Sequence, residues 1–242
     1  MAPQANHPGV AIVVGVGPGL GDALVRRFAR GGHPVALVAR SREFIQSLAA
    51  EITAAGGRAL AVSADVGDAE AVARAFDTVR AKLGPPEVLL YNAGSGKWGR
   101  ITEITPAQFE ESWRTNAYGA FLCAKQVVSE MIKNGRGVML FTGATAGVKA
   151  GPLSAAFGPA KFAMRGLAQS LARDLGPRGI HVAYVNVDGM IDMPHVRSQM
   201  PQVKNEDLLK PAAIAEAYWH LANQDASAWT QELDVRPFKE KF

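Results

Sequence analysis

The chain has a single cysteine, Cys123, so no disulfide can close within it, and this suits a reducing compartment. Its five histidines (His7, His33, His181, His195 and His220) show no metal-ligand spacing, and one cysteine does not supply the missing ligands, so no metal site is expected. No apolar run approaches the roughly 20 residues needed to cross a bilayer. The N-terminal stretch MAPQANHPGVAIVVGVGPG lacks a basic region, and its apolar run VAIVV stops at glycine, too soon for a signal peptide. The chain therefore reads as cytoplasmic, with no membrane partner. The net charge of +4 is not gathered into a block: Arg26, Arg27 and Arg30 fall on one helix, read as a solvated face, which argues against nucleic acid. Tandem repeats, linkers and low-complexity tracts are also lacking. What remains, 242 residues with 48% hydrophobic and 20% charged side chains, is the composition of a folded globular chain.

Short apolar runs alternate with longer amphipathic ones. VAIVV is a buried strand by length and branching, and a glycine-rich turn leads from it into a helix at Leu20–Arg30, stopped by Gly31 and Gly32. PVALVA, RALAVSAD and EVLLYN read as the next three strands, with helices between them, the second of which Asp68 caps. Thr105 caps a long helix with Pro106 at its first position and Gln108 completing a capping box. GVMLF is a fifth strand, 154–175 a helix, HVAYVNV a sixth strand, 212–222 a helix and ELDV a last strand. Strands that are apolar on both faces and separated by helices imply a covered parallel sheet. The expected fold is α/β: a single domain over residues 1–242, a Rossmann-type doubly wound parallel sheet in three α/β/α layers. The one segment of low regularity, 190–211, reads as a mobile substrate loop or a disordered insertion.

The turn GVGPGLG carries glycines at Gly15, Gly17, Gly19 and Gly21, followed by a helix whose free N–H groups would suit a pyrophosphate; a tight turn with only a structural role is the other reading. The second strand ends in Arg40 and Ser41, where NAD-binding sheets place a carboxylate. A guanidinium there would complement a 2′-phosphate, which selects NADP(H), unless Arg40 is merely exposed at a strand end. AGSGKW resembles a phosphate-binding P-loop, but Tyr91 stands where its first glycine should be. In AAFGPAKFAMRGL, Lys161 sits among small and apolar residues, where an ammonium must snorkel to water or find a partner.

In order and spacing, these residues resemble the short-chain dehydrogenases/reductases. Gly15, Gly19 and Gly21 match the G-x-x-x-G-x-G turn of that family, and Asp65 with Val66 in SADV its adenine-contacting aspartate. Asn92, Ala93 and Gly94 match its N-A-G signature, Asn116 the asparagine of its fourth helix, and Lys161 the lysine of Y-x-x-x-K. The resemblance implies an NADP(H)-binding oxidoreductase acting on a small molecule, with Gly17, Leu20, Gly189 and Ile191 also beside the cofactor. It implies a homodimer or homotetramer built on the helices that contain Phe109, Trp113 and Phe162. Lys161 would hydrogen-bond the nicotinamide ribose, which reverses the snorkelling reading.

The departures lie at the reacting end. Phe157 stands where the family has its catalytic tyrosine, and Ala144 where it has its serine, leaving Asn116 and Lys161 of the four. A positioned general acid contributes on the order of 10²–10⁴-fold, so ordinary carbonyl reduction would be severely impaired. Asp188-Gly189 replaces the family's P-G, and Met193 its threonine; Asp188 would be an acid, a base, a counter-ion or a loop cap. Thr142, Thr145, Ser154 and Tyr118 are further hydroxyls near the site, Thr145 expected to face away from it unless the strand bulges. Two readings stand: an oxidoreductase whose substrate, such as an imine or activated double bond, does not need the tyrosine, or a dinucleotide-binding sensor or scaffold without turnover.

Overall fold

The computed structural model describes residues 8–240; His7 and the start of the N-terminal stretch lie outside the described residues. Five strands follow the expected alternation: β1 (Val10–Val14), β2 (Val35–Ala39), β3 (Ala59–Ser63), β4 (Pro86–Tyr91) and β5 (Gly137–Thr142). β6 (Ile180–Val187) follows, while β7 (Met190–Ile191) and β8 (Leu208–Leu209) form a separate pair and β9 (Glu232–Val235) closes the chain. The main sheet is parallel throughout, in the order β3-β2-β1-β4-β5-β6-β9. Succession reverses between β1 and β4, and in such sheets the crevice at that switch, beyond the carboxyl ends of the strands, is where ligands bind.

Both faces are covered, which is why β1 is buried at every position. On one face α1 (Leu20–Arg30), α2 (Arg42–Ala54) and α8 (Pro211–Ala222) pack Leu24, Phe28, Ile45 and Tyr218 onto the sheet. On the other, α3 (Ala69–Leu83), α5 (Gly119–Asn134) and α6 (Phe157–Leu175) bring Phe76, Cys123, Val127 and Met164 against Tyr91, Phe141 and Tyr184. Asp68 caps α3 by accepting from Glu70 N at 2.9 Å and Ala71 N at 3.1 Å. No helix among the described residues is long and apolar enough to cross a membrane.

Four local readings are corrected. The long helix after Thr105 is broken into α4 (Pro106–Trp113), a π turn over Arg114–Tyr118, and α5. Side chains drive the break: Asn116 Nδ2 donates to Ser112 O at 2.9 Å and the Tyr91 hydroxyl to Thr115 O, so two helix carbonyls are claimed from outside the ladder. The helix expected from residue 154 begins at Phe157, because Ser154 pairs in an isolated bridge with Gly99 and donates its hydroxyl to Gly151 O. The segment 190–211 has regular structure: β7 pairs with β8, and α7 (Pro194–Gln199) lies between them. Arg197 organises it, donating to both carboxylate oxygens of Asp192 at 2.7 and 2.8 Å and to Asn205 Oδ1 at 2.7 Å. Lastly, Arg27 is not solvated: it pairs with Glu216 and its guanidinium lies 4.1 Å over the ring of Trp219.

Candidate active site

The glycine turn after β1 is shaped by contact. Gly15 has φ +87°, and a Cβ there would lie 2.3 Å from the backbone nitrogen of Ala93; Gly19, at φ +128°, is covered by the side chain of Met193. Asn92 Nδ2 donates to Gly15 O at 2.9 Å, tying the end of β4 to the turn. At Gly17 a Cβ would meet nothing within 4 Å, so the backbone borders open space there. Gly19 caps α1 without a side-chain hydrogen bond, which leaves the first-turn N–H groups unclaimed by a capping side chain.

Two connected hollows run from this turn. One, about 390 Å³, is lined by Arg40, Ser41, Asp65, Val66 and Ala93 together with Gly15 and Gly17. Arg40 is exposed there, and among the described residues its guanidinium makes no hydrogen bond or ion pair; Ser41 stands just before α2 with its hydroxyl capping no backbone N–H. Asp65 accepts from Gly67 N at 2.9 Å, which fixes its carboxylate at the rim. The other hollow, about 450 Å³, shares Gly15, Gly17, Asn92 and Gly94 and continues to Leu20, Lys161, Phe157, Gly189 and Ile191. A larger hollow, about 620 Å³, lies outside α1, where Arg26 pairs with Asp22 and Glu51. It gathers none of the residues singled out for chemistry except Gly19.

At the inner end, Lys161 is buried on α6, with Nζ donating to Thr142 O at 2.8 Å and standing 5.5 Å from the centroid of the Phe157 ring. Burial pulls its ammonium down from the ordinary lysine range to about 7. Asn116 is held by the π turn with its amide donating to Ser95 O and Ser112 O, while its Oδ1 is buried without a partner. A methyl on Gly94 would lie 3.3 Å from that oxygen and 3.6 Å from Lys161 Nζ, so both groups flank the same point of the wall. Ala144 and Phe157 face this hollow, and the ring of Trp98 leans on Phe157 at 4.9 Å.

Asp188 does not join them. Its carboxylate is buried off the hollow, accepting from the Thr145 hydroxyl at 2.6 Å and lying 3.6 Å from Arg236. The catalytic reading of Asp188 is therefore corrected, and so is its reading as a cap for backbone N–H groups. Thr145 faces Asp188 because β5 ends at Thr142 and the chain enters a 3₁₀ turn at Thr145–Gly147, so strand alternation no longer decides its direction. Trp98 is the site residue that sequence reasoning passed over. It adjoins Lys97, which turns outward to Glu111, and no spacing in the sequence marks its ring as part of the wall.

The pattern over residues 9–204 matches the short chain dehydrogenase family, and the chain belongs to that family. It is 33% identical over 174 residues to versicolorin reductase stcU of Emericella nidulans, a match covering 72% of this chain and 66% of that protein's length. A short-chain dehydrogenase from Rhodopseudomonas palustris shares 36% of residues and superposes with a TM-score of 0.83, covering 95% of this chain and 99% of the other. A short-chain oxidoreductase of metagenomic origin, solved in complex with NADP, is 28% identical with a TM-score of 0.82, covering 95% and 96%. The fold and family are those of an oxidoreductase of the short-chain type, and the comparisons do not favour the sensor or scaffold reading.

Proposed function

We propose that the chain is an NADP(H)-dependent oxidoreductase with a degenerate catalytic tetrad, acting on a small substrate whose reducible bond is an imine or an activated alkene. The observation that carries this is the groove itself: an unpartnered arginine at one end, and a buried lysine facing a phenylalanine ring at the other. The residues fit the dinucleotide. Arg40 and Ser41 would hold a 2′-phosphate, the turn from Gly15 to Gly21 a pyrophosphate, and Asp65 with Val66 the adenine side. Asn92, Ala93 and Gly94 would wall the middle of the groove, with Lys161, Gly189 and Ile191 at the nicotinamide side. When bound, a reduced nicotinamide supplies a hydride.

The chain's own part is to orient the acceptor and exclude water. Phe157, Trp98 and Ala144 give the acceptor an apolar wall, and orientation alone is worth roughly 7–11 kcal/mol in favourable intramolecular cases. Among the described residues Thr142 is the only hydroxyl side chain lining this hollow, and it pairs with the Tyr218 hydroxyl, which disfavours an unactivated ketone. The experiment pairs Phe157→Tyr with Ala144→Ser. The double variant should acquire carbonyl reductase activity that the parent lacks, while the parent oxidises NADPH with cyclic imines. Efficient ketone reduction by the parent would refute this reading. The proposal extends to a cytoplasmic homo-oligomer, since Phe109, Trp113, Phe121 and Phe162 expose apolar surface on α4, α5 and α6; light scattering showing a monomer would refute that part.

A further inference from the structure

The hollow around Phe157 holds few protons that can be given away. Of the hydroxyls near it, Thr142 Oγ1 pairs with the Tyr218 hydroxyl at 2.7 Å, Thr145 donates to Asp188, Ser154 Oγ donates to Gly151 O at 2.7 Å, and Tyr118 stacks on Trp113 and does not line the hollow. The Tyr184 hydroxyl is buried against Gly143 and Gly147 and does not line the hollow. Nor does any carboxylate line it. Among its lining residues only Lys161 brings an ionisable N–H, and that ammonium spends one of three protons on Thr142 O.

We propose that Lys161 is itself the proton donor of this site, transferring an Nζ proton to the acceptor atom of the substrate while hydride reaches the neighbouring carbon. The inference rests on the oxidoreductase reading above. The step balances: a bound reduced nicotinamide dinucleotide would supply the hydride for the new C–H bond and be left oxidised, and the π bond of the substrate would break. One N–H bond of Lys161 breaks as a new N–H bond forms on the substrate. The lysine is left as a neutral amine, which water reprotonates.

The surroundings allow it. Around Lys161, Tyr184 on β6 reaches the same Gly147 that the lysine stem touches, Tyr218 on α8 bonds the Thr142 hydroxyl, and the Asp188–Arg236 pair lies past the end of β6, off the hollow. None of them is a cause of the lysine's lowered pKa; burial alone is. Burial pushes Tyr184 up to about 12 and Tyr218 higher still, so neither phenol is poised to act near neutrality. An ammonium that titrates near 7 gives its proton most readily to an atom of comparable basicity, which an imine nitrogen is and a ketone oxygen is not.

The test compares 3,4-dihydroisoquinoline, which must be protonated, with its N-methyl iminium salt, which needs no proton. Both are offered to the NADPH-loaded protein at about pH 8, one unit above the lysine midpoint, where about a tenth of the ammonium and about a tenth of an imine of equal basicity are protonated. At saturating NADPH, so that any loss of ribose contact weighs on both substrates alike, Lys161→Met should lower the ratio of imine to iminium reduction by about tenfold. Lys161→Arg, which keeps the charge and does not release a proton, should not rescue the imine. Independently of turnover, NMR of the lysine side-chain nitrogens should place the Lys161 midpoint near neutrality in the NADPH-loaded protein. Equal loss of both substrates, loss of neither, or an ammonium that stays charged beyond about pH 9 would overturn the lysine's role. NADPH titration separates the failures: no binding sinks the functional reading, and binding without reduction of either substrate by the parent overturns both.

Discussion

Arg40→Asp is the sharpest probe of the groove because the structure gives Arg40 nothing else to do. Its guanidinium is exposed and makes no hydrogen bond or ion pair among the described residues, and the bond that the Ser63 hydroxyl donates to Arg40 O at 3.1 Å survives any change of the Arg40 side chain. The substitution should therefore leave the unfolding free energy within ~0.5 kcal/mol of the parent. A hydrogen bond to a charged partner is worth roughly 1.5–3 kcal/mol, and solvent exposure keeps a two-bond fork on a phosphate near the bottom of what two such bonds would give. A loss of about 2–3 kcal/mol is about 30- to 150-fold in Kd for NADPH, with further loss from repulsion by the new carboxylate. Isothermal titration of parent and variant with NADPH and NADH measures both sides: NADPH should weaken by that factor, and NADH, which has no 2′-phosphate, should hold or tighten. Equal affinity of the variant for NADPH, or parallel loss of both dinucleotides with an unchanged fold, would refute the assignment of Arg40 to the phosphate.

Stability should carry the signature of Lys161. Its folded pKa is depressed to about 7 against an ordinary value of 10.5, so between these pH values the unfolded chain binds more protons and stability from this group rises with pH. Below about pH 7 the penalty of the buried charge is fully present, and Lys161→Met should be the more stable protein there, the difference shrinking towards pH 10; urea titrations of both proteins that differ by a constant amount would contradict it. Gly15→Ala puts a Cβ 2.3 Å from Ala93 N at φ +87°, and since this atom, Ala93 Cα and the Asn92 carbonyl carbon are all backbone the turn must open; NADPH binding should fall below detection, and a variant that binds normally would refute the shape given to the turn. Thr145→Val leaves the buried Asp188 carboxylate short of a hydrogen bond and should cost ~1–3 kcal/mol by urea denaturation with NADPH affinity unchanged; a large loss of affinity would instead restore Asp188 to the site.

The elements were legible because their causes are local. β1 is apolar at all five positions because it is buried on both faces, and the capping box of Thr105 and Gln108 marks the start of α4 from spacing alone. The cofactor end of the groove was legible for the same reason: Gly15, Arg40 and Asn92 follow strand ends, and parallel strands present those ends on one edge of the sheet. Lys161, Ala144 and Phe157 could be marked by spacing, but whether they share a wall depends on how α6 lies against β5. The sequence by itself determined the alternation of strands and helices, the turn chemistry and the identity of the ring at 157. Only the tertiary structure decided the rest, because it depends on partners far apart in the chain. Tyr91 reaches across to the Thr115 carbonyl in the π turn that holds Asn116, Arg197 orders 190–211 through Asp192 and Asn205, and Thr145 with Arg236 holds Asp188 away from the hollow. Burial of the lysine is the last of these, since it takes β5, α6 and the β4 loop together to exclude water from one ammonium and bring its proton within range of release near neutral pH.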